Sequence, residues 1–253
     1  MFEVDQLAVE HTLARLAPVL PPPPARVLEV GCGRGALARA LGALGYRVLG
    51  VDPDIDACVA AAARGVEVVH ADIGEVSTEH RYDVVLFTRS LHHIADLGGT
   101  VGHALELVRT GGLVVLEEFA RERADAATAG FLYDTLGLLV ASGALALPDG
   151  VTAIDPDEDP VSRWERERGV AAQTPLHTGR AMLAALSGAG AVVESGTDTE
   201  ALWRMLAPPG GVWGLDDRAV GALVESARRV ECRRISEGTL RAIGMMVTAR
   251  RVN

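Results

Sequence analysis

ARVLEVGCGRGALARALGALGYRVLGVD, residues 25–52, sets two apolar runs around a glycine cluster. Val27-Leu28-Glu29-Val30 is too short for a helix and runs into Gly31, Gly33 and Gly35. Leu37, Leu41 and Leu44 then recur at helical spacing, which predicts one apolar helix face. Val48 to Val51 form the second run, and it stops at Asp52. The order is strand, glycine turn, helix, strand, with an acid at the second strand's tip. Glycine permits the sharp turn and a close approach to backbone, and a helix N-terminus presents free N–H groups. The acid lies where a ribose diol can be held. This is half of a nucleoside-binding fold.

Gly31-x-Gly33-x-x-Ala36 also satisfies the dinucleotide pattern, so the glycines alone do not choose a nucleoside. Two acids choose. Glu29, two residues before the first glycine, can receive a methionyl ammonium, and Asp72 closes a third short strand where it can accept an adenine amino group. EVGCGRG, VDPD, ADI and YDVVLFTRSLHHI stand in the order and spacing of the class I S-adenosylmethionine-dependent methyltransferases. From Ala25 to Phe119 the chain resembles that superfamily. The resemblance implies S-adenosylmethionine as cofactor and S-adenosylhomocysteine as product. It implies cofactor contacts from Glu29, Gly31, Cys32, Gly33, Asp52, Pro53, Asp72, Ile73 and Thr88.

The chain has 253 residues, enough for one domain with a full core. Its net charge of −10 disfavours a nucleic-acid partner, which would call for a basic face. No apolar run reaches the roughly 18 residues of a membrane span. The acidic start, MFEVDQLAVEHTLARL, does not read as a secretory leader. There is no lysine, which excludes Schiff-base chemistry. Cys32, Cys58 and Cys232 lack metal spacing and suggest a reducing cytoplasm. Cys32 reads as a small residue that fits a tight turn rather than as a reactive thiol.

Residues 2–20 read as an amphipathic helix, and Pro21 to Pro24 as an extended spacer. Beyond Asp52, Ile55, Cys58, Val59 and Ala62 mark a second helix face, and Tyr82 to Phe87 a fourth strand. A helix near 100–109 is expected to stop at Gly111-Gly112, before a fifth strand from Leu113 to Leu116. Alternation of helix and short apolar strand predicts an α/β fold, a doubly wound, mainly parallel, seven-stranded Rossmann-like sheet. Residues 120–176 read as a helical substrate-cover insertion bearing Phe131, Tyr133, Leu136, Leu138, Leu139, an acidic turn at 155–160 and Trp164. The alternative is a packing helix or a dimer surface. Thr178 is expected to cap a helix carrying Met182, Leu183 and Leu186. A sixth strand at 191–194, a helix from Asp216 or Asp217 and a final antiparallel strand at 243–249 complete residues 177–253. The whole is expected to be a single domain, with 1–24 as an N-terminal helix and linker and 25–119 as the cofactor-binding half.

Methyl transfer from a sulfonium is an in-line displacement, so much of the catalysis is positioning. An oxygen acceptor gains from a general base, and histidine titrates near neutrality. His92 and His93 follow the fourth strand at the ligand edge. Adjacent helical residues diverge by about 100°, so one of the two faces the pocket. His92 is taken as that residue and His93 as packing inward; the alternative is that both only cap or pack. Related ubiquinone-type O-methyltransferases carry metal-binding acids here, whereas this chain has Arg89, which argues against a metal. Arg89 could hold a substrate carboxylate or phosphate, or pair with Glu117, Glu118 or Asp96. Tyr133, Trp164 and His177 are the acceptor-side candidates.

The reading is thus O-methylation of a small molecule, an anionic one being admissible, by a cytoplasmic monomer or homodimer without nucleic-acid or membrane partners. Two alternatives stand beside it: an isomerase or cyclase that retains the cofactor, and a non-catalytic regulatory partner.

Overall fold

The computed structural model describes residues 3–147, 158–168, 176–208 and 210–252. Part of the acidic turn expected at 155–160, residues 155–157, lies outside them. Two compact units divide the chain. One comprises Val9–Ala120, His177–Thr197 and Met245–Asn253, the other Met1–Ala8, Arg121–Leu176 and Asp198–Gly244.

The first unit is built on the sheet. Its strands are β1 (Arg26–Val30), β2 (Arg47–Asp52), β3 (Glu67–His70), β4 (Tyr82–Thr88), β5 (Val108–Phe119), β7 (Val192–Thr199) and β9 (Gly244–Arg250), whereas β6 (Leu145–Ala146) and β8 (Val212–Trp213) pair separately. The order across the sheet is β3-β2-β1-β4-β5-β9-β7. β1 pairs in parallel with both β2 and β4, with Leu28 opposite Leu49 on one side and Val85 on the other. Gly111 and Gly112, at the start of β5, exchange backbone bonds with Arg251, just past the end of β9, so those two strands run antiparallel.

Strands covered on both faces need apolar side chains on both, and these have them. Leu28, Val30, Val85, Phe87, Val114 and Leu116 point to one face, where Val101, Ala104 and Leu107 of α4 (Leu97–Leu107) and Met182 and Leu186 of α7 (Gly179–Gly188) cover them. Val27, Val84, Leu86, Leu113 and Val115 point to the other, under Leu37 and Leu41 of α2 (Ala36–Ala43) and Leu16 of α1 (Glu3–Leu16). Each such side chain contributes about 1.5–3 kcal/mol on burial. The doubly wound, seven-stranded architecture agrees with the sequence expectation.

Several local expectations are corrected. Leu44 lies beyond the end of α2 and is exposed. In α3 (Ile55–Ala62) the buried face is Cys58 and Ala61, while Ile55 and Val59 face solvent. The proline run turns at Pro23–Pro24, a cis pair, and does not stay extended. α4 ends at Leu107, and β5 begins before the glycine pair. Gly111, at φ 77°, sits in a register shift, with Tyr82 opposite Val108 but Val84 opposite Leu113. A left-handed glycine inside a strand produces a bulge, so the pair marks an irregular strand start and not a helix stop.

In the second unit α5 (Ala126–Ala141) is capped by Asp125, and α8 (Asp217–Ser236) by Asp216. Leu138, expected on the apolar face of α5, is 72% exposed; Leu132, Tyr133, Leu136 and Leu139 carry that face. Trp203, Val220 and Val224 form a small core with Leu7 and Ala8. The fully buried Glu231 accepts the N–H groups of Ala201, Leu202 and Trp203 at 2.7, 2.9 and 3.0 Å. Burial nevertheless pushes its carboxyl above the ordinary range.

Candidate active site

In a sheet of this order the strands on either side of β1 wind in opposite senses, and a crevice opens outside the strand C-termini. A cavity of about 810 Å³ lies there in the sheet unit. Val30 at the end of β1 and Gly31 after it, Asp52 at the end of β2 and Pro53 after it, Asp72 and Ile73 beyond β3, and Arg89, Ser90 and His93 beyond β4 line it.

The glycine turn is fixed by its surroundings. Gly31, at φ 70°, donates to Val51 O at 2.8 Å, and a Cβ on it would stand 2.5 Å from that of Ser90. No other residue type fits there. Gly33 N–H donates to Asp52 Oδ2 at 2.8 Å, and Asp54 N–H to Oδ1 at 3.0 Å, so the acid at the tip of β2 is aimed by backbone on both oxygens. The Cys32 side chain turns away onto Gly50, where an added Cβ would lie 2.6 Å from the sulfur. Burial pushes that thiol up to about 12, which suits a filler and not a nucleophile.

Glu29 is 2% exposed. Thr88 Oγ1 reaches its Oε1 at 3.5 Å, and Oε2 has no partner among the described residues. Burial pushes its carboxyl up to about 8, although the charge of Arg89 pulls the other way. An unsatisfied buried carboxyl oxygen is costly, and a cationic ligand group would relieve it. Thr88 is itself buried, with its hydroxyl directed to Glu29 rather than to the cavity lining.

The two histidines occupy the reverse of the expected positions. Glu118, 2% exposed, takes Ser90 N–H at 2.8 Å and Leu91 N–H at 2.7 Å on Oε1, and His92 Nδ1 at 2.6 Å on Oε2. That carboxylate draws His92 under the loop, where Phe119 meets its ring edge-on with centroids 5.6 Å apart. His93 is the exposed one and lines the cavity, its ring 4.0 Å from that of His92. The 100° rule correctly separates the pair but carries no absolute direction, and the buried acid on β5 supplies it. A carboxylate only accepts, so His92 Nδ1 carries the proton.

Arg89 pairs with Glu117 Oε2 at 3.2 Å, one of the partners the sequence allowed. Thr12 Oγ1 at 2.8 Å and Arg15 at 2.7 Å hold the same carboxylate. Arg89 is also the one non-glycine residue with positive φ among the described residues, at 57°. Such backbone costs about 1–3 kcal/mol and clusters at functional sites. Sequence reasoning named Glu117 and Glu118 only as partners for Arg89 and missed Glu118 as the anchor of the histidine loop; the signal was a pair of acids at the tip of an otherwise apolar strand.

Of the acceptor-side candidates, His177 lies in the sheet unit and pins the loop beside the cavity. Its N–H donates to His92 O at 2.9 Å, and its ring Nε2 meets Ile94 O at 2.8 Å. Tyr133 and Trp164 belong to the second unit, Trp164 on α6 (Pro160–Arg168), and both are buried there. Tyr133 OH donates to Glu167 at 3.0 Å, and Trp164 Nε1 to Arg121 O at 3.2 Å. His103, also unforeseen, lines the cavity, with Nε2 on Val76 O at 3.0 Å.

A family model described as a methyltransferase domain matches residues 2–195. A ubiquinone biosynthesis O-methyltransferase from Bradyrhizobium sp. (strain ORS 278) is 33% identical over 103 residues, which is 38% of this chain and 40% of that protein. The chain thus spans about two fifths of the length of the curated relatives it matches. A solved S-adenosylmethionine-dependent methyltransferase from Mesorhizobium loti superposes with a TM-score of 0.56 at 18% identity, over 94% of this chain and 96% of that one. Geranyl diphosphate C-methyltransferase from Streptomyces coelicolor A3(2), solved with Mg2+, geranyl-S-thiolodiphosphate and S-adenosyl-L-homocysteine, gives 0.57 at 14% identity, over 98% and 76%. At such identities these two structures share the fold.

Proposed function

This chain belongs to the methyltransferase-domain family, the class I S-adenosylmethionine-dependent enzymes, and from that we propose that it methylates a small molecule, on oxygen, with a histidine as general base. The observation that carries the proposal is one cavity where Gly31, Asp52, Asp72 and the orphaned Glu29 oxygen behind them meet an exposed histidine, His93. The residues fit the cofactor. Asp52 is aimed to take a ribose diol, Asp72 an adenine amino group, and the buried Glu29 an ammonium, while Gly31 and Gly33 let the ligand lie against backbone. Bound S-adenosylmethionine supplies a methyl group already activated on a sulfonium. The remaining work falls to the chain. Pro53 and Ile73 wall the nucleoside side, and His93 takes the acceptor's proton from the cavity side. His92, tied to Glu118, holds the ring beside it in place. No helix among the described residues is long and apolar enough to cross a membrane, and we place the enzyme in the cytoplasm as a monomer or homodimer.

Mass spectrometry of the purified protein and calorimetry test the cofactor. Asp52→Ala is expected to lower S-adenosylhomocysteine affinity by about tenfold or more, the scale of a lost charge-assisted bond. NADH binding in place of either nucleoside would overturn the reading. Homocysteine release across an acceptor panel tests turnover. His93→Ala is expected to cut kcat by roughly 10²–10⁴-fold with S-adenosylhomocysteine affinity retained. Binding without turnover on any acceptor would favour an isomerase or cyclase instead.

A further inference from the structure

Arg89 leaves β4 in the left-handed region, and both peptide groups of that turn are locked. Its own N–H donates to Glu117 O at 2.8 Å, and the next N–H, of Ser90, donates to the Glu118 carboxylate at 2.8 Å. The turn places the side chain on the cavity wall. Behind it, the Glu117 carboxylate faces two guanidiniums at once. Arg15 has the shorter contact, 2.7 Å on Oε1, while Arg89 shares Oε2 with Thr12 at 3.2 Å. Arg89 is the more open of the two, its side chain 33% exposed against 15% for Arg15. Arg89 Nε and its second terminal nitrogen have no partner among the described residues. Of the cavity's acids, Asp52 accepts the N–H groups of Gly33 and Asp54, and Asp96 accepts that of Gly99. A strained, buttressed guanidinium with donors left over on the cavity wall is arranged for a ligand, because a planar fork binds a pair of anionic oxygens bidentately.

We infer that Arg89 binds an anionic group, a carboxylate or a phosphate, on the acceptor, and that Glu117, backed by Arg15 and Thr12, positions the guanidinium for it. The inference rests on the methyl-transfer reading in placing the acceptor in this cavity. It deepens that reading by giving the acceptor's class.

Calorimetry on the full chain, with and without S-adenosylhomocysteine, tests it with two probes: benzoate for the carboxylate and inorganic diphosphate for the phosphate. At least one probe is expected to bind the wild type, and its identity selects the source of the anion. Arg89→Asn, chosen because asparagine tolerates left-handed backbone, is expected to weaken that probe by about tenfold or more, in the nucleoside-loaded protein as in the free one. Glu117→Gln removes the competing charge and is expected to tighten the probe at least twofold. Should Arg89→Asn fail to fold, that second variant decides. Failure of both probes to bind the wild type, equal binding by Arg89→Asn, or weaker binding by Glu117→Gln overturns the inference. Loss of nucleoside binding alone, with the anion result intact, counts against the methyl-transfer reading and not against Arg89.

Discussion

Glu29 illustrates how a single buried group can report on ligand binding. Its carboxyl is raised to about 8 by burial, so in the ligand-free protein it is protonated near neutrality. Pairing with an ammonium favours the ionised form. S-adenosylhomocysteine binding near pH 7 is therefore expected to release about one proton, seen as a dependence of calorimetric enthalpy on buffer ionisation enthalpy. Glu29→Gln is expected to abolish that release and to weaken binding; release undiminished in the variant would remove Glu29 from the site. The residue's place two positions before the glycines was plain from the sequence. Its unsatisfied oxygen was not, because that depends on what Thr88 and Arg89, 59 and 60 positions later, bring to it.

Among elements, the segment after β4 is the most heavily tied. Glu118 alone accepts two backbone N–H groups and His92 Nδ1. Glu118→Ala leaves those three donors without their acceptor in a buried place, at about 1–3 kcal/mol each. A loss of at least 3 kcal/mol in urea unfolding is expected, with partial recovery in Glu118→Gln, which keeps an acceptor oxygen. A loss under 1 kcal/mol would mean the loop holds itself. The contrast with β1 and β2 is instructive. The glycine turn is a local device, bonded to residues some twenty positions away, and it could be read directly. The orientation of His92 and His93 depends on a strand 26 residues later, and the two-residue pairing of β6 with β8 is too short to leave a period. Gly111-Gly112 misled for a related reason: glycine ends helices and bulges strands by the same backbone freedom, and β4 determines which.

At the scale of the whole molecule, two sets of carboxyls shape stability against pH in the ligand-free state. Glu29 and Glu231 are raised by burial, so the folded form holds more protons than the unfolded one above pH 4.5, and stability falls as pH rises, for Glu29 until about 8. Asp125, lowered chiefly by the Thr128 hydroxyl, and Glu194, lowered chiefly by Arg250, act oppositely. Their contribution is present above the ordinary carboxylate range and disappears as pH falls through their lowered values. With a net charge of −10, self-repulsion also grows toward alkaline pH. Urea midpoints are expected to peak nearer pH 5 than pH 8, and Glu29→Gln to flatten the decline. A profile rising from pH 5 to 8 would contradict the account.

His177 adds a consequence in time. The loop that presents His93 is fastened at His92 and Ile94 by a residue 83 positions beyond the latter. A nascent chain emerging from the ribosome has β1 to β5 and the glycine turn in hand long before that fastening arrives. Contacts so distant along the chain form slowly. The rim of the cavity is thus among the last parts of the sheet unit to set, and a stalled or shortened chain would carry every nucleoside motif without a finished place for the acceptor.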